Sequence, residues 1–266
     1  MKRIFHYAAL ALAVGLGACS EDDAPAMQEQ ELSIAARSTD DVEGATETFT
    51  RPFTLTLWST TDAAKHETHS MTYTDGTGWN TVKSSVLPAT AFAYCGEGVS
   101  NVTSSTSYTV TLLTDQSDAP KLADADVMIA TGEASTGIFL DLNFLHYYAK
   151  VTFNATLAEE FDDTDKITSL EVMTVDDKTV NTYVNGETVS AIITSGEYTE
   201  GNNFLSITVS DPDNPLTVKV PAGGLTFTAG THYTFDLKVG KDKVTLTLVS
   251  TSTDFPGGWN DEENLN

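Results

Sequence analysis

The chain has 266 residues, with 38 acidic against 14 basic side chains, a formal net charge of −24 and a pI near 4.2. A surface this negative repels phosphate backbones and anionic lipid headgroups, which excludes nucleic acid as a partner. It also keeps the molecule soluble until something specific captures it.

The first residues form an export signal. Lys2 and Arg3 give a basic start, residues 4–16 are mostly apolar, and Leu16-Gly17-Ala18-Cys19 closes the segment with small residues before a cysteine. A spanning helix needs ~20 apolar residues, and this run is shorter. It is followed by Ser20-Glu21-Asp22-Asp23 instead of a stop-transfer flank. A cleavable signal over residues 1–18 is expected. The quartet resembles the bacterial lipobox, which implies a diacylated Cys19 as the first residue of the mature chain. The acidic tetrad resembles the signal that sends lipoproteins to the outer face of a Gram-negative outer membrane. An ordinary secretory signal beside a chance cysteine, and a plain acidic tether, are the competing readings. Each buried CH₂ of a lipid contributes ~0.8 kcal/mol, so two or three acyl chains hold a protein on its membrane without a transmembrane helix. Residues 19–31 are polar and read as a lipidated acidic tether.

Beyond the tether, alternation of apolar and polar residues predicts strands almost everywhere. Phe53-Thr54-Leu55-Thr56-Leu57-Trp58 places Phe53, Leu55 and Leu57 on one face and threonines on the other. Ala91-Phe92-Ala93-Tyr94-Cys95 is also strand-like. With Cys19 acylated, Cys95 has no partner, so it reads as a small buried hydrophobe and the core must hold without a disulfide. The alternation recurs at 108–112, 205–209, 216–220, 235–239 and 244–248. Asn185-Gly186 between alternating flanks predicts a tight hairpin, with both residues at the positive-φ centre of a type I′ turn. Asp75-Gly76 and Gly240-Lys241 mark similar reversals, and Pro88, Pro212, Pro215 and Pro221 sit at run edges. Helical periodicity is confined to 158–161, too short to stand alone. So many short antiparallel strands exceed one sandwich of ~100 residues. The expected fold is all-β: two tandem β-sandwiches of Greek-key-like, transthyretin-like topology, over 32–136 and 137–266, cut in the small-residue stretch at 134–137.

No catalytic constellation stands out. His66 and His69 are three apart, which on a strand sends them to opposite faces, and His146 and His232 are isolated in sequence. Nucleophile elbow, Walker loop, dinucleotide fingerprint and His-Glu-x-x-His are all missing. Carboxylate pairs for glycoside hydrolysis receive no positive support, because their spacing is a three-dimensional property. The acidic clusters Asp162-Asp163-Thr164-Asp165 and Asp211-Pro212-Asp213-Asn214 lack the spacing of a calcium loop and read as solvated loops. The Asn101 and Asn154 sequons are treated as chance in so threonine-rich a chain. No enzyme activity, metal or cofactor is expected.

Three features together resemble the fimbrillin family, the subunits of type V pili. They are the lipoprotein signal, a central block, and a late block. The central block is Ala125-Asp126-Val127-Met128-Ile129-Ala130 followed by Leu140-Asp141-Leu142-Asn143-Phe144-Leu145-His146-Tyr147-Tyr148-Ala149-Lys150-Val151. The late block is Ala229-Gly230-Thr231-His232-Tyr233-Thr234-Phe235, leading to Gly258-Trp259. The resemblance covers roughly 32–266 and implies that the central segment opens the second domain, with the histidine and the Ala-Lys pair inside a buried strand. It also implies export as a lipoprotein, arginine-specific removal of an early strand, and filling of the vacated groove by a neighbour's strand. Leu32-Ser33-Ile34-Ala35-Ala36 would be the removable strand, ending at Arg37. Arg51 is the second cleavage candidate, and Arg37 is preferred because 38–48 is polar and reads as accessible. The tail after Val249 is polar and broken by Pro256, Gly257 and Gly258, which makes a poor donor strand.

The expected function is therefore a surface-exposed structural, anchor or accessory pilus subunit that supports adhesion. Its partners would be other subunits by strand exchange, the outer membrane through the lipid, and host or bacterial surface ligands. The alternative is a monomeric glycan-binding lipoprotein that stacks sugars on Trp58, Trp79 or Trp259.

Overall fold

The structure is a computed structural model, and it describes residues 29–39, 46–135, 139–210 and 215–252. The signal segment, Cys19, most of the tether, the 136/137 cut, the run 211–214, Gly258 and Trp259 lie outside the described residues. The described chain is nearly all β, as its alternation and its threonine and β-branched content favour.

In chain order the first half forms β1 (Gln30–Thr39), β2 (Thr46–Thr48), β3 (Phe53–Ser59) and β4 (His66–Met71). The small pair β5 (Tyr73–Thr74) and β6 (Gly78–Trp79) comes next, then β7 (Val82–Ser84), β8 (Ala89–Cys95), β9 (Val99–Ser104) and β10 (Ser107–Val110). Helix α1 (Ala119–Ala125) precedes β11 (Met128–Ala134) and β12 (Phe139–His146). One sheet runs β2-β1-β12-β11-β8-β3-β4, with β7 also pairing with β1, and β9 pairs with β10. Phe53, Leu55 and Leu57 are buried on one face of β3, as period-two alternation requires. Their neighbours across β8 are small: Leu55 lies opposite Ala93 and Leu57 opposite Ala91, so large and small side chains interdigitate. Met128 and Ala130 of β11 and Leu140, Leu142 and Phe144 of β12 complete this first core.

Membership of β12 corrects the division read from sequence, which assigned residues 139–146 to the second half. Leu140, Leu142 and Phe144 face the first core, and β12 hydrogen-bonds between β1 and β11. After β12 the chain passes at Tyr147 and Tyr148 into the second core, which Leu112, Ala125 and Val127 already join, and the Tyr147 N–H donates to the Val127 carbonyl (2.8 Å). Ala149 and Lys150 are then buried in the next strand, whereas His146 ends β12.

The second half comprises β13 (Ala149–Leu157), β14 (Ile167–Met173), β15 (Thr179–Asn181), β16 (Tyr183–Asn185), β17 (Thr188–Ile193) and β18 (Gly196–Tyr198). It continues with β19 (Asn203–Val209), β20 (Leu216–Lys219), β21 (Leu225–Phe227), β22 (His232–Val239) and β23 (Val244–Ser252). A five-stranded sheet β16-β17-β13-β22-β23 accompanies a four-stranded sheet β15-β14-β19-β20 and the pair β18–β21. Phe153, Phe204, Phe227 and Phe235 fill their common core with stacked and edge-on rings 5.6–6.5 Å apart.

The Asn-Gly signal finds its hairpin, displaced by one residue. Asn185 pairs with Thr188, so Gly186 and Glu187 form the turn, and Gly186 at φ 62 takes the first central position, where a type II′ turn needs glycine. Among the described residues helix is confined to α1, which the period missed because it spans only seven residues. Its local signal is Asp118, whose side chain accepts from the Lys121 N–H (2.9 Å), with Pro120 in the first turn. The segment 158–161 is a turn.

Candidate functional site

Strand β1 is inserted between β12, which is remote in sequence, and its near neighbour β2, and it also pairs with β7. Ser33–Ser38 pair in parallel with Phe139–Phe144 of β12. Gln30–Leu32 pair with β7 and Arg37–Thr39 with β2, both antiparallel. Leu32, Ile34, Ala36 and Ser38 share the inward face. Leu32 is fully buried, Ala36 and Ser38 are buried, and Ile34 is half-buried against the same cluster. Phe49 seats the strand: its N–H donates to the Ala36 carbonyl (3.2 Å) while its ring stacks on Phe144 at 4.2 Å. Without β1, the inner edge of β12 would present unpaired N–H and C=O groups beside an apolar slot, the geometry that captures another strand.

The far edge of the same sheet is guarded. On β4, Glu67 and His69 turn toward the core side, and Glu67 Oε1 accepts from the Ser85 N–H (3.1 Å) and hydroxyl (2.6 Å). Inward-facing polar side chains on an edge strand discourage further strand addition there.

Arg37 and Arg51 occupy different environments. Arg37 sits within β1, opposite Asn143 and Thr48, and its guanidinium pairs with Asp141 at 2.8 Å, both side chains 42% exposed. The accessible polar segment expected to begin at Ser38 is corrected: Ser38 is buried and the strand runs on to Thr39, because β12 and β2 flank it on both edges. Arg51 is only 15% exposed and ion-pairs with Asp126 at 2.5 Å. Its second terminal nitrogen donates to the Ala123 and Asp126 carbonyls, both at 3.1 Å, which satisfies the C-terminal end of α1. His146 Nδ1 donates to the other Asp126 oxygen at 2.6 Å. Burial alone would raise the Asp126 carboxyl, but His146 and Arg51 hold it below the usual carboxylate range, and Asp126 in turn keeps Arg51 firmly cationic despite its burial. This cluster fastens the start of β3 and the end of β12 to the connection between the two cores. Sequence reading missed it, since Arg51 and Asp126 are 75 residues apart.

Other sequence candidates disperse. Cys95 is buried and free, and burial pushes its thiol up to about 11, the environment of an inert core cysteine. His66 and His69 lie on opposite faces of β4, opposite Trp58 and Leu55 respectively. Trp79 packs edge-on to Phe53 at 4.7 Å, and Trp58 is half-buried on the outer face of β3. In the 162–165 cluster, Asp165 already accepts from the Asp162 N–H (2.9 Å) and the Ser210 hydroxyl (3.1 Å).

The family model described as fimbrillin-like matches residues 43–254. No curated protein sequence matches the chain. Among solved structures, a candidate cell adhesion protein from Bacteroides uniformis superposes with a TM-score of 0.52 at 16% identity, covering 84% of this chain and 97% of that one. Another candidate cell adhesion protein, from Bacteroides ovatus, gives 0.56 at 11% identity, covering 85% and 98%. At such identities the likeness is one of fold.

Proposed function

The chain belongs to the fimbrillin-like family, and on that premise we propose that it is a fimbrial subunit that joins its neighbours by strand exchange at the slot held by β1. The observation that carries this reading is the placement of β1, a first strand whose partners are β12, β7 and β2 and whose inward face is largely apolar. Cleavage after Arg37 would leave Gln30–Arg37 held by non-covalent contacts alone, so a neighbour's strand could replace it. Arg37 suits that role better than Arg51, whose guanidinium is engaged by Asp126 and two carbonyls. The ladder around Arg37 means that cutting requires the end of β1 to open first. In this proposal the chain travels to the outer membrane as a lipoprotein acylated on Cys19, works in a cell-surface fimbrium that supports adhesion, and folds as tandem β-sandwiches.

The test compares the parent with Arg37→Ala after treatment with an arginine-specific protease, following polymers by sedimentation and electron microscopy. The parent should lose its N-terminal segment and polymerise, and Arg37→Ala should do neither. Equal polymerisation of both proteins would sink the role of Arg37, and failure of both to polymerise or to join a fimbrial fraction would sink the subunit assignment.

A further inference from the structure

We propose that a polar cleft at one end of the second core binds a single neutral sugar ring of a surface glycan, a ligand site separate from the β1 slot. The cleft encloses about 290 Å³. That lies at the lower limit of ordinary ligand pockets, ~300–1,000 Å³, and suits one ring better than a buried chain.

Three local structures build it. One wall is the β14–β15 reversal, where the Thr174 hydroxyl donates to Asp176 Oδ1 (2.7 Å) and Asp177 takes a left-handed φ of 58. The second wall is β18 with Glu197. The floor is the turn into β19, closed by the Asn202 N–H on the Thr199 carbonyl (3.2 Å) and the Val220 N–H on the Asn202 carbonyl (2.8 Å). Because local backbone bonds set these turns, the cleft does not depend on a ligand for its shape.

The chemistry of the lining selects the ligand. Asp177, Glu197, Asn202 and Asn203 line the cleft, and their side chains make no hydrogen bond or ion pair with another described residue. Asp176 just outside is different: it is committed to Lys178 at 2.8 Å and to Thr174. Two carboxylates that only accept, together with two amides that both donate and accept, match vicinal hydroxyls, each of which donates one hydrogen and accepts others. Met173 and Val175, the latter 44% exposed, offer an apolar strip for the C–H face of a ring. No cationic side chain lines the cleft, so an anionic sugar or a phosphate is disfavoured. Among the described residues no three His, Cys, Asp or Glu side chains gather closely enough to hold a metal ion, which favours a hydroxylated ligand over a cation.

The experiment is affinity electrophoresis of the intact protein in gels containing α-glucan, β-glucan, α-mannan or desialylated mucin. These arms separate bacterial or dietary polysaccharide from host glycan as the source of the ring. The parent should be retarded in at least one gel. Glu197→Gln combined with Asn203→Ala should weaken that retardation about ten-fold or more, the effect of removing two hydrogen-bonding groups from a small site. Both positions are exposed, so the double variant should melt with the parent, and Trp58→Ala should leave retardation unchanged. Three results overturn the proposal: no retardation of the parent in any gel, equal retardation of the double variant, or loss of binding in Trp58→Ala, which would move the site to the first sheet. Polymerisation after proteolysis should be the same in the double variant, so this outcome is independent of the assembly reading.

Discussion

Truncation of Leu32 to alanine measures how firmly β1 is held. Leu32 is fully buried against the first core and flanked on one edge by Val82 of β7. Removing a fully buried leucine side chain costs ~2–5 kcal/mol, the transfer of its methyl and methylene groups plus the cavity left behind. In uncut protein the loss appears as a lower urea midpoint with an unchanged slope. In protein cut after Arg37, the same loss falls on a non-covalent complex, so release of the 30–37 fragment should become easier by roughly 30-fold to several thousand-fold. Fluorescence anisotropy of a labelled 30–37 peptide reads this directly. Arg37→Ala should cost less than ~1 kcal/mol, because its ion pair with Asp141 is half-exposed and screened. If Leu32→Ala shifted neither the urea midpoint nor peptide release, β1 would not occupy an apolar pocket and the strand-exchange argument would lose its physical basis.

Asp126→Asn should destabilise the fold by ~3–5 kcal/mol in urea titrations, since it leaves the buried Arg51 guanidinium uncompensated. The folded pKa of Asp126 is lowered, so its contribution is present above the ordinary carboxylate value of ~3.9 and is lost only as pH falls through the still lower folded value. His232 acts in a higher window. Burial and neighbouring Lys150 lower its pKa to about 3, so below the ordinary value of 6.5 the unfolded chain takes up a proton that the folded one refuses, and stability falls from there toward pH 3. Replacement by glutamine should flatten that slope, as followed by urea midpoints across pH. In protein lacking residues 1–19, Cys95 should resist a thiol reagent at pH 8 until denaturant is added, because its thiol is buried with a pKa of about 11. Reaction at the rate of an exposed cysteine would contradict its burial.

Local pattern carried much of the fold. Phe53, Leu55 and Leu57 alternate because a pleated strand sends every second side chain into the core, and the same rule located β19, β22 and β23. Turn chemistry located the hairpin at Gly186 but not its register, because Asn185 can either flank the turn or enter it. Partnership was harder to read. Nothing near Leu140 states that β12 lies parallel to a strand about a hundred residues earlier, and its alternation would serve either core. The Arg51–Asp126–His146 cluster is illegible for the same reason, as each member alone looks like a surface polar residue. Arg37 shows the converse error. The composition of 38–48 suggested a segment accessible to a protease, whereas Ser38 and Thr39 continue the ladder and Thr46–Thr48 return to pair with it. Polar side chains on one strand face say little about whether the backbone is hydrogen-bonded.

The central claim, that β1 is replaced by a neighbour's strand in a fibre, is tested most directly by the N-terminal residue of the subunit recovered from purified fimbriae. Mass spectrometry and N-terminal sequencing should find chains that begin at Ser38, with residues 30–37 absent. Fibres whose subunits all retain acylated Cys19 and an intact β1 would contradict it.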